Sequence, residues 1–319
     1  MSFLKPKIAL VLGGGGAKGM AHLGVIKVLE AEGIRPDLIV GCSAGAMIGS
    51  LYAFSCNIEE AEKKLVTFTE SSDIDIDSFK DLEMMTPLDD EKKGFFRRIK
   101  RIYKTGRFLA KTASKPSYID TREFDHNVGG LLPDAMIEDA NIPITIVATS
   151  LKDGVEKIIR GGPLRDAVKA SSAIAGVFPP VEIDGELLID GGFVDKVPVE
   201  IALKLGADVI IAVDVSTELE DTEDFDLHGT AITSRAGSIL AATLKKVQTR
   251  FADVFIRPEV KSVHWADFTA SRRAIELGEE AATEKLAEIH TAIARGRRRR
   301  VKRLFFRVQR RICRFEPIE

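Results

Sequence analysis

The sequence predicts an α/β protein with a mainly parallel central sheet. Three observations carry that expectation. Short, wholly apolar runs recur along the chain, as strands buried on both faces require. Stretches of helical periodicity separate them, and glycine-rich turns mark the points where a strand hands over to a crossover helix. With 319 residues, 45% of them hydrophobic and 29% charged, the chain is long enough to bury a large core.

The elements follow in order. Residues 7–12 (KIALVL) read as a buried strand, broken by Gly13 to Gly16. Apolar positions Leu23, Ile26, Val28 and Leu29 predict a helix that ends near Gly33. Residues 38–40 (LIV) form a second strand, and 41–45 turn into a helix running to about Ser55. Residues 57–125 differ in character. They join an acidic stretch, 73–90, to a basic one, 92–115, which holds ten Lys/Arg and no acid. They read as a partly helical insertion over the sheet. Strands then resume at 143–149 (PITIVAT), 187–189 and 209–215, with a helix at 164–173. Val181 to Ile189 reads as a hairpin turning at Asp184-Gly185. A last strand at 252–256 and a helix over about 271–295 complete the pattern.

Charge divides the chain. Residues 295–319 carry 11 Lys/Arg against two Asp/Glu, a net +9; the whole chain is −2, so residues 1–294 carry −11. A basic tail on an acidic body predicts an anionic partner. Within it Val301, Leu304, Phe305, Val308, Ile312 and Phe315 fall on one helical face among arginines, the pattern of an interfacial membrane helix. Phe95, Phe96, Ile99, Ile102 and Tyr103 repeat the theme inside 92–115. Nucleic-acid binding is not expected, because no companion fold for it is legible. A helix docked on the body, with a solvated basic face, is the plainer alternative for the tail. Cys42, Cys56 and Cys313 form no CxxC and no paired framework, which predicts reduced thiols. The run 8–12 is too short for a signal-peptide core and no stretch approaches 18 apolar residues, so a cytoplasmic address is expected.

Two motifs carry chemistry. Gly13 to Gly19 (GGGGAKG) sits between a strand and a helix and contains the dinucleotide pattern at Gly14, Gly16 and Gly19. The acid that would hold a ribose is missing from the end of the second strand; Asp37 lies at its other end. What remains is a set of N–H groups at a helix start, suited to a phosphate or to the oxyanion of an acyl intermediate. Gly41-Cys42-Ser43-Ala44-Gly45 matches G-x-S-x-G in a strand–turn–helix setting, which makes Ser43 a nucleophile. Its base is less legible. Of five histidines, His22 falls in the helix after the glycine loop, His126 in the insertion, and His264 and His290 in C-terminal segments without a strand-end turn before them; His228, in a glycine-containing loop, is the one triad candidate. Asp190 ends an apolar strand and is followed by Gly191 and Gly192, so it is either that base or an Asp-Gly turn.

GGGGAKG, GCSAG and DGG, in this order, together with 169–180 (KASSAIAGVFPP), closely resemble the patatin-like phospholipases. The resemblance covers about residues 5–215. It implies a three-layer α/β/α fold and hydrolysis of fatty-acyl esters by a Ser–Asp dyad: Ser43 as nucleophile, Asp190 as proton acceptor, and Gly14, Gly15, Gly16, Ala17, Lys18 and Gly19 as the oxyanion loop. No metal and no cofactor is implied. One catalytic domain is expected, with 57–125 inserted in its core, 216–294 continuing it and 295–319 appended as the basic tail. The chain departs from the family at Ala175, where a proline is common, and at Asp195-Lys196, where an asparagine pair is frequent. An acyltransferase on the same site, or a non-catalytic lipid- or nucleotide-binding module, are the competing functions. The partners expected are a lipid or phospholipid ester and an anionic membrane surface met through 92–115 and 295–315, at the inner face of a membrane. The sequence leaves oligomeric state open.

Overall fold

A computed structural model describes residues 5–70, 95–216, 219 and 228–312. Among them, β1 (Ile8–Leu12), β2 (Leu38–Cys42), β3 (Ile144–Ser150), β4 (Glu156–Ile159), β5 (Val181–Ile183), β6 (Glu186–Asp190), β7 (Val209–Val213) and β8 (Val254–Ile256) form one sheet. Its order is β5-β6-β3-β2-β1-β7-β8, with β4 also paired to β3. The five strands from β3 to β8 along that order pair in parallel, whereas β3–β4, β3–β6 and β5–β6 are antiparallel. The sheet is therefore mixed and mostly parallel, with the antiparallel pairings confined to β3 through β6.

The apolar runs form strands because both sheet faces are covered. Every residue of β1, β2, β3 and β7 is buried. Leu10, Leu12 and Ile39 point into the larger apolar cluster, Ala9, Val11 and Val40 into the smaller one on the opposite face. The larger cluster takes in α1 (Ala21–Ala31), α2 (Ala44–Ser55), α3 (Ile58–Glu70), α5 (Thr121–Leu131) and α6 (Leu164–Ser172). The smaller is covered by α7 (Val199–Lys204). Truncating a fully buried side chain such as Leu12 to alanine costs about 3 kcal/mol in a layer packed this way.

The structure adds two elements to the sequence reading and divides a third. β4 follows a turn after β3 and pairs back onto it, and its half-exposed pattern hid it among charged residues. α8 (Gly229–Gln248) occupies a stretch with no strand or helix assigned to it from sequence. The helix expected over 271–295 is two helices, α9 (Ser271–Glu284) packed along α1 and α10 (Leu286–Ile312). α10 starts on the body and runs without a break into the basic segment. Its Arg299 donates to Asp253 at 2.7 Å and its Arg300 to Asp208 at 2.9 Å. Phe315 and Cys313 lie outside the described residues, as do the side chains of Leu304, Phe305, Val308 and Ile312. The acidic stretch 73–90 also lies outside them. Residues 95–114 form helix α4 (Phe95–Ser114), and the side chains of Phe95, Phe96, Ile99, Ile102 and Tyr103 are outside the description. The hairpin turns at Asp184 (φ 53°) and Gly185 (φ 77°), as a two-residue turn with both residues left-handed requires.

Candidate active site

Ser43 joins β2 to α2 at φ 54° and ψ −121°, a backbone conformation that strains any residue with a side chain. Neighbours hold it there. The Ser43 N–H donates to Ser171 Oγ at 2.8 Å, and the Ser171 hydroxyl donates to the Val147 carbonyl at 2.6 Å. The Ser43 carbonyl accepts from the N–H groups of Ala46 and Met47, which starts α2. Gly45 lies against the Leu12 carbonyl, where a Cβ would collide. Gly41 and Cys42 are buried in β2, and burial pushes the Cys42 thiol well up, so it stays protonated and inert.

β3 brings the aspartate to the serine. Val147 pairs with Cys42 and with Ile158, and the next residue, Ala148, pairs with Asp190 and with Lys157. Since Lys157 and Ile158 occupy one edge of β3, Cys42 and Asp190 share the other. The parallel β2 and the antiparallel β6 therefore run toward each other along one edge and stop with their C-terminal ends adjacent. Ser43 Oγ donates to Asp190 Oδ2 at 2.6 Å, and both side chains are buried. Asp190 Oδ1 accepts from the Gly192 N–H at 2.7 Å, the Asp190 N–H donates to the Ala173 carbonyl, and Thr149 Oγ1 donates to the Asp190 carbonyl. Gly191 opens a short 3-10 turn after it and is buried against β3. Burial raises the Asp190 carboxyl above its ordinary value of 3.8, while the bonds from Ser43 and Gly192 and the charge of Lys196 oppose the rise. A carboxylate with a raised pKa is a stronger base.

The glycine loop packs beside this pair. An added Cβ on Gly14 would stand 3.1 Å from Ser43 Cβ. The Gly14 N–H is taken by the Lys196 carbonyl at 3.0 Å, and the Ala17 N–H by the Trp265 carbonyl at 2.7 Å. Both N–H groups are committed to the fold, while Lys18 and Gly19 sit inside the 3-10 turn Gly16–Met20. Gly16 adopts φ 60°, a left-handed conformation that favours glycine, and it lines the cavity with Ser43 and Ala44. Lys18 and Gly19 are buried in the 3-10 turn that follows, and burial, helped by Lys196, lowers the Lys18 pKa. His22 reaches back from α1 to the Gly13 carbonyl at 2.8 Å. Burial holds its pKa down to about 4, so the ring is neutral and its Nε2–H is the donor.

None of the histidines replaces Asp190. His228 stands exposed at the start of α8, His126 and His290 are exposed, and His264 is buried with its Nδ1 accepting from the Ala266 N–H. Two residues to which sequence reasoning gave no role at the site have notable surroundings. Ser171 has no local signature beyond its place in KASSAIAGVFPP, and Asp195, 2% exposed, has an Oδ1 with no partner. Burial, with Glu156 and Glu200 nearby, pushes Asp195 up to about 7.

Beside Ser43 opens an apolar cavity of about 120 Å³. Met47 and Ile48 of α2, Leu65 and Phe68 of α3, Phe124 and Val128 of α5, and Trp265 line it. The two ends of the expected insertion, through Leu65, Phe68 and Phe124, thus contribute to the wall of the site.

Fold and site together define a class: an α/β protein with a sharp strand-to-helix turn at a serine, whose hydroxyl bonds a buried carboxylate, and a glycine loop beside it. The model of the family described as patatin-like phospholipase matches residues 10–203, and the chain belongs to that family of lipid-ester hydrolases. Lysophospholipase NTE1 of Saccharomyces cerevisiae is 35% identical over 66% of this chain and 11% of its own length. Patatin-like phospholipase domain-containing protein 6 of Homo sapiens is 30% identical over 70% of this chain and 14% of its own. A patatin-like phospholipase domain-containing protein of Caenorhabditis elegans, ZK370.4, is 28% identical over 89% and 21%. The chain thus spans between about a tenth and a fifth of these relatives. Among solved structures, VipD from Legionella pneumophila is similar with a TM-score of 0.45 and 17% identity, over 88% of this chain and 66% of that one.

Proposed function

We propose that this chain hydrolyses fatty-acyl esters of lipids through a Ser43–Asp190 dyad and an acyl-enzyme. The observation that carries the reading is the 2.6 Å bond from Ser43 Oγ to a buried carboxylate, at the wall of an apolar cavity. Asp190 accepts the Ser43 proton as Oγ attacks the ester carbonyl. The oxyanion forms against the N–H of Ala44, at the start of α2, and the uncommitted N–H groups of Gly15 and Gly16. Asp190 returns the proton to the departing alcohol, then takes one from the water that cleaves the acyl-enzyme. The acyl chain lies in the cavity among Met47, Leu65, Phe124 and Val128. The relatives named lysophospholipase support a phospholipid ester as substrate.

The enzyme works as a peripheral protein at an anionic surface on the cytoplasmic face of a membrane, held by the basic segments 92–115 and 295–315. Among the described residues no helix is long and apolar enough to cross a bilayer. The test is hydrolysis of a panel of phospholipid and lysophospholipid esters by the wild type and Ser43→Ala. Loss of turnover in a folded Ser43→Ala protein is expected. Equal turnover in both rejects Ser43 as the nucleophile.

A further inference from the structure

Helix α8 presents its apolar side outward. Ile232, Ile239, Leu240, Leu244 and Val247, with Phe251 just past its end, are between 38% and 70% exposed. At 3.6 residues per turn these positions fall within an arc of about 140°, one continuous stripe along about 30 Å of helix. Lys245 lies opposite the stripe and ties the helix down. Its Nζ donates to Asp214 Oδ2 at 2.7 Å and to Ser216 Oγ at 2.8 Å, and all three residues are buried. Gln248 Nε2 adds a bond to the Val194 carbonyl at 2.6 Å, in the turn that follows Asp190. Polar bonds thus seat α8 on the body, and among the described residues none of its side chains enters either apolar cluster of the core. A surface helix ordinarily buries its apolar face and shows its polar one to water; α8 does the reverse. Single exposed apolar residues are ordinary, but a contiguous stripe of this kind marks a contact surface.

Charge decides which partner covers it. Residues 229–251 contain four Lys/Arg and no Asp or Glu. Lys245 is neutralised by Asp214, whereas Lys246 and Arg250 are exposed beside the stripe, the latter 3.6 Å from Glu200. A second copy of the chain would set like charges against each other along that margin. An anionic lipid surface complements both parts, with hydrocarbon for the stripe and phosphate for the cations. We propose that α8 is an interfacial helix whose apolar stripe enters the boundary between headgroups and acyl chains of an anionic bilayer; this rests on the membrane reading above and gives it a surface distinct from 92–115 and 295–315. Because apolar burial holds α8, its share of binding persists at salt concentrations that screen the basic segments. The bond from Gln248 to Val194 sets the helix beside the turn that follows the base.

The test is co-sedimentation of the full chain with mixed phosphatidylcholine–phosphatidylserine vesicles at about 0.1 M and 1 M salt. The double variant Leu240→Ser/Val247→Ser changes no charge. It is expected to partition about 10-fold or more weakly at the lower salt, and to lose the binding that the wild type keeps at the higher. Its turnover of a soluble ester is expected to match the wild type, which shows that the fold is intact. Leu240→Trp adds a positional readout: with the signal of Trp265 subtracted, the introduced indole is expected to shift to the blue and to be quenched by acyl-brominated lipid. Equal partition of wild type and double variant, or an indole left unquenched, overturns the assignment. So does light scattering that shows a wild-type dimer which the double variant converts to a monomer with vesicle binding unchanged, since a second copy then covers the stripe. Wild-type protein that sediments with the vesicles at neither salt defeats the membrane reading and this proposal together. Sedimentation that the double variant leaves intact and removal of 302–319 abolishes defeats this proposal alone.

Discussion

Ser43 holds a left-handed backbone conformation, and the Ser171 hydroxyl is the single side chain that bonds both its N–H and the neighbouring β3 carbonyl of Val147. Ser171→Ala strands a buried donor and a buried acceptor at once. It is expected to lower stability by about 2 kcal/mol or more in urea unfolding, and to reduce kcat as the nucleophile loses its orientation. Asp195 gives a prediction with a sign. Its folded-state pKa, about 7, lies above the ordinary 3.8, so the folded protein binds more protons than the unfolded chain between those values. Stability from this group is present at low pH and is lost as pH rises through 7. Asp195→Asn should therefore raise Tm at pH 8 and leave it nearly unchanged at pH 4; a uniform shift at both pH values would contradict the buried, protonated carboxyl. For Asp190, whose pKa is raised, the acidic limb of kcat/KM is expected above 3.8, with activity falling as pH drops through it. The Ser43 turn is legible in the sequence because it is local: strand, small residues and helix lie within a dozen positions. Asp190 is legible as the partner of Ser43 only through the family resemblance, and the contact of Ser171 not at all, because they meet the turn from 147 and 128 residues further along the chain.

At the scale of elements, β3 is what the site depends on. Its consecutive residues Val147 and Ala148 set Cys42 and Asp190 end to end, and that arrangement needs β6 to run antiparallel to β3. A wholly parallel sheet, the simplest extrapolation from the strand–helix alternation, places Asp190 at a strand end but not against Ser43. The hairpin β5–β6 was readable from Asp184-Gly185, and its pairing partner was not, since nothing in LLID distinguishes a parallel neighbour from an antiparallel one. α10 carries the prediction of this scale. Gly296, Arg299 and Arg300 are tied to the body, so a deletion of residues 296–319 disturbs the fold as well as the basic face. Removing 302–319 alone leaves those contacts intact. That truncation is expected to lose most binding to vesicles containing anionic lipid, measured by co-sedimentation; unchanged binding would reject the helix as an anchor.

Over the whole molecule, charge and catalysis fit one working arrangement. On the proposed membrane reading, an acidic body of net −11 and a basic segment of +9 would orient the chain on an anionic surface, each Lys or Arg near it contributing about 1 kcal/mol. Binding of this kind weakens with salt as the Debye length shrinks from ~10 Å at 0.1 M to ~3 Å at 1 M. Hydrolysis of vesicle-borne substrate should fall with it, while hydrolysis of a soluble ester should not. The direct measurement of the central assignment is turnover by Asp190→Asn, which keeps the size and the Gly192 contact of the carboxylate while removing the base. A loss of about 10³-fold or more in kcat, in a protein that melts like the wild type, is the result the Ser43–Asp190 pair predicts. Turnover of Asp190→Asn within a few-fold of the wild type would contradict it.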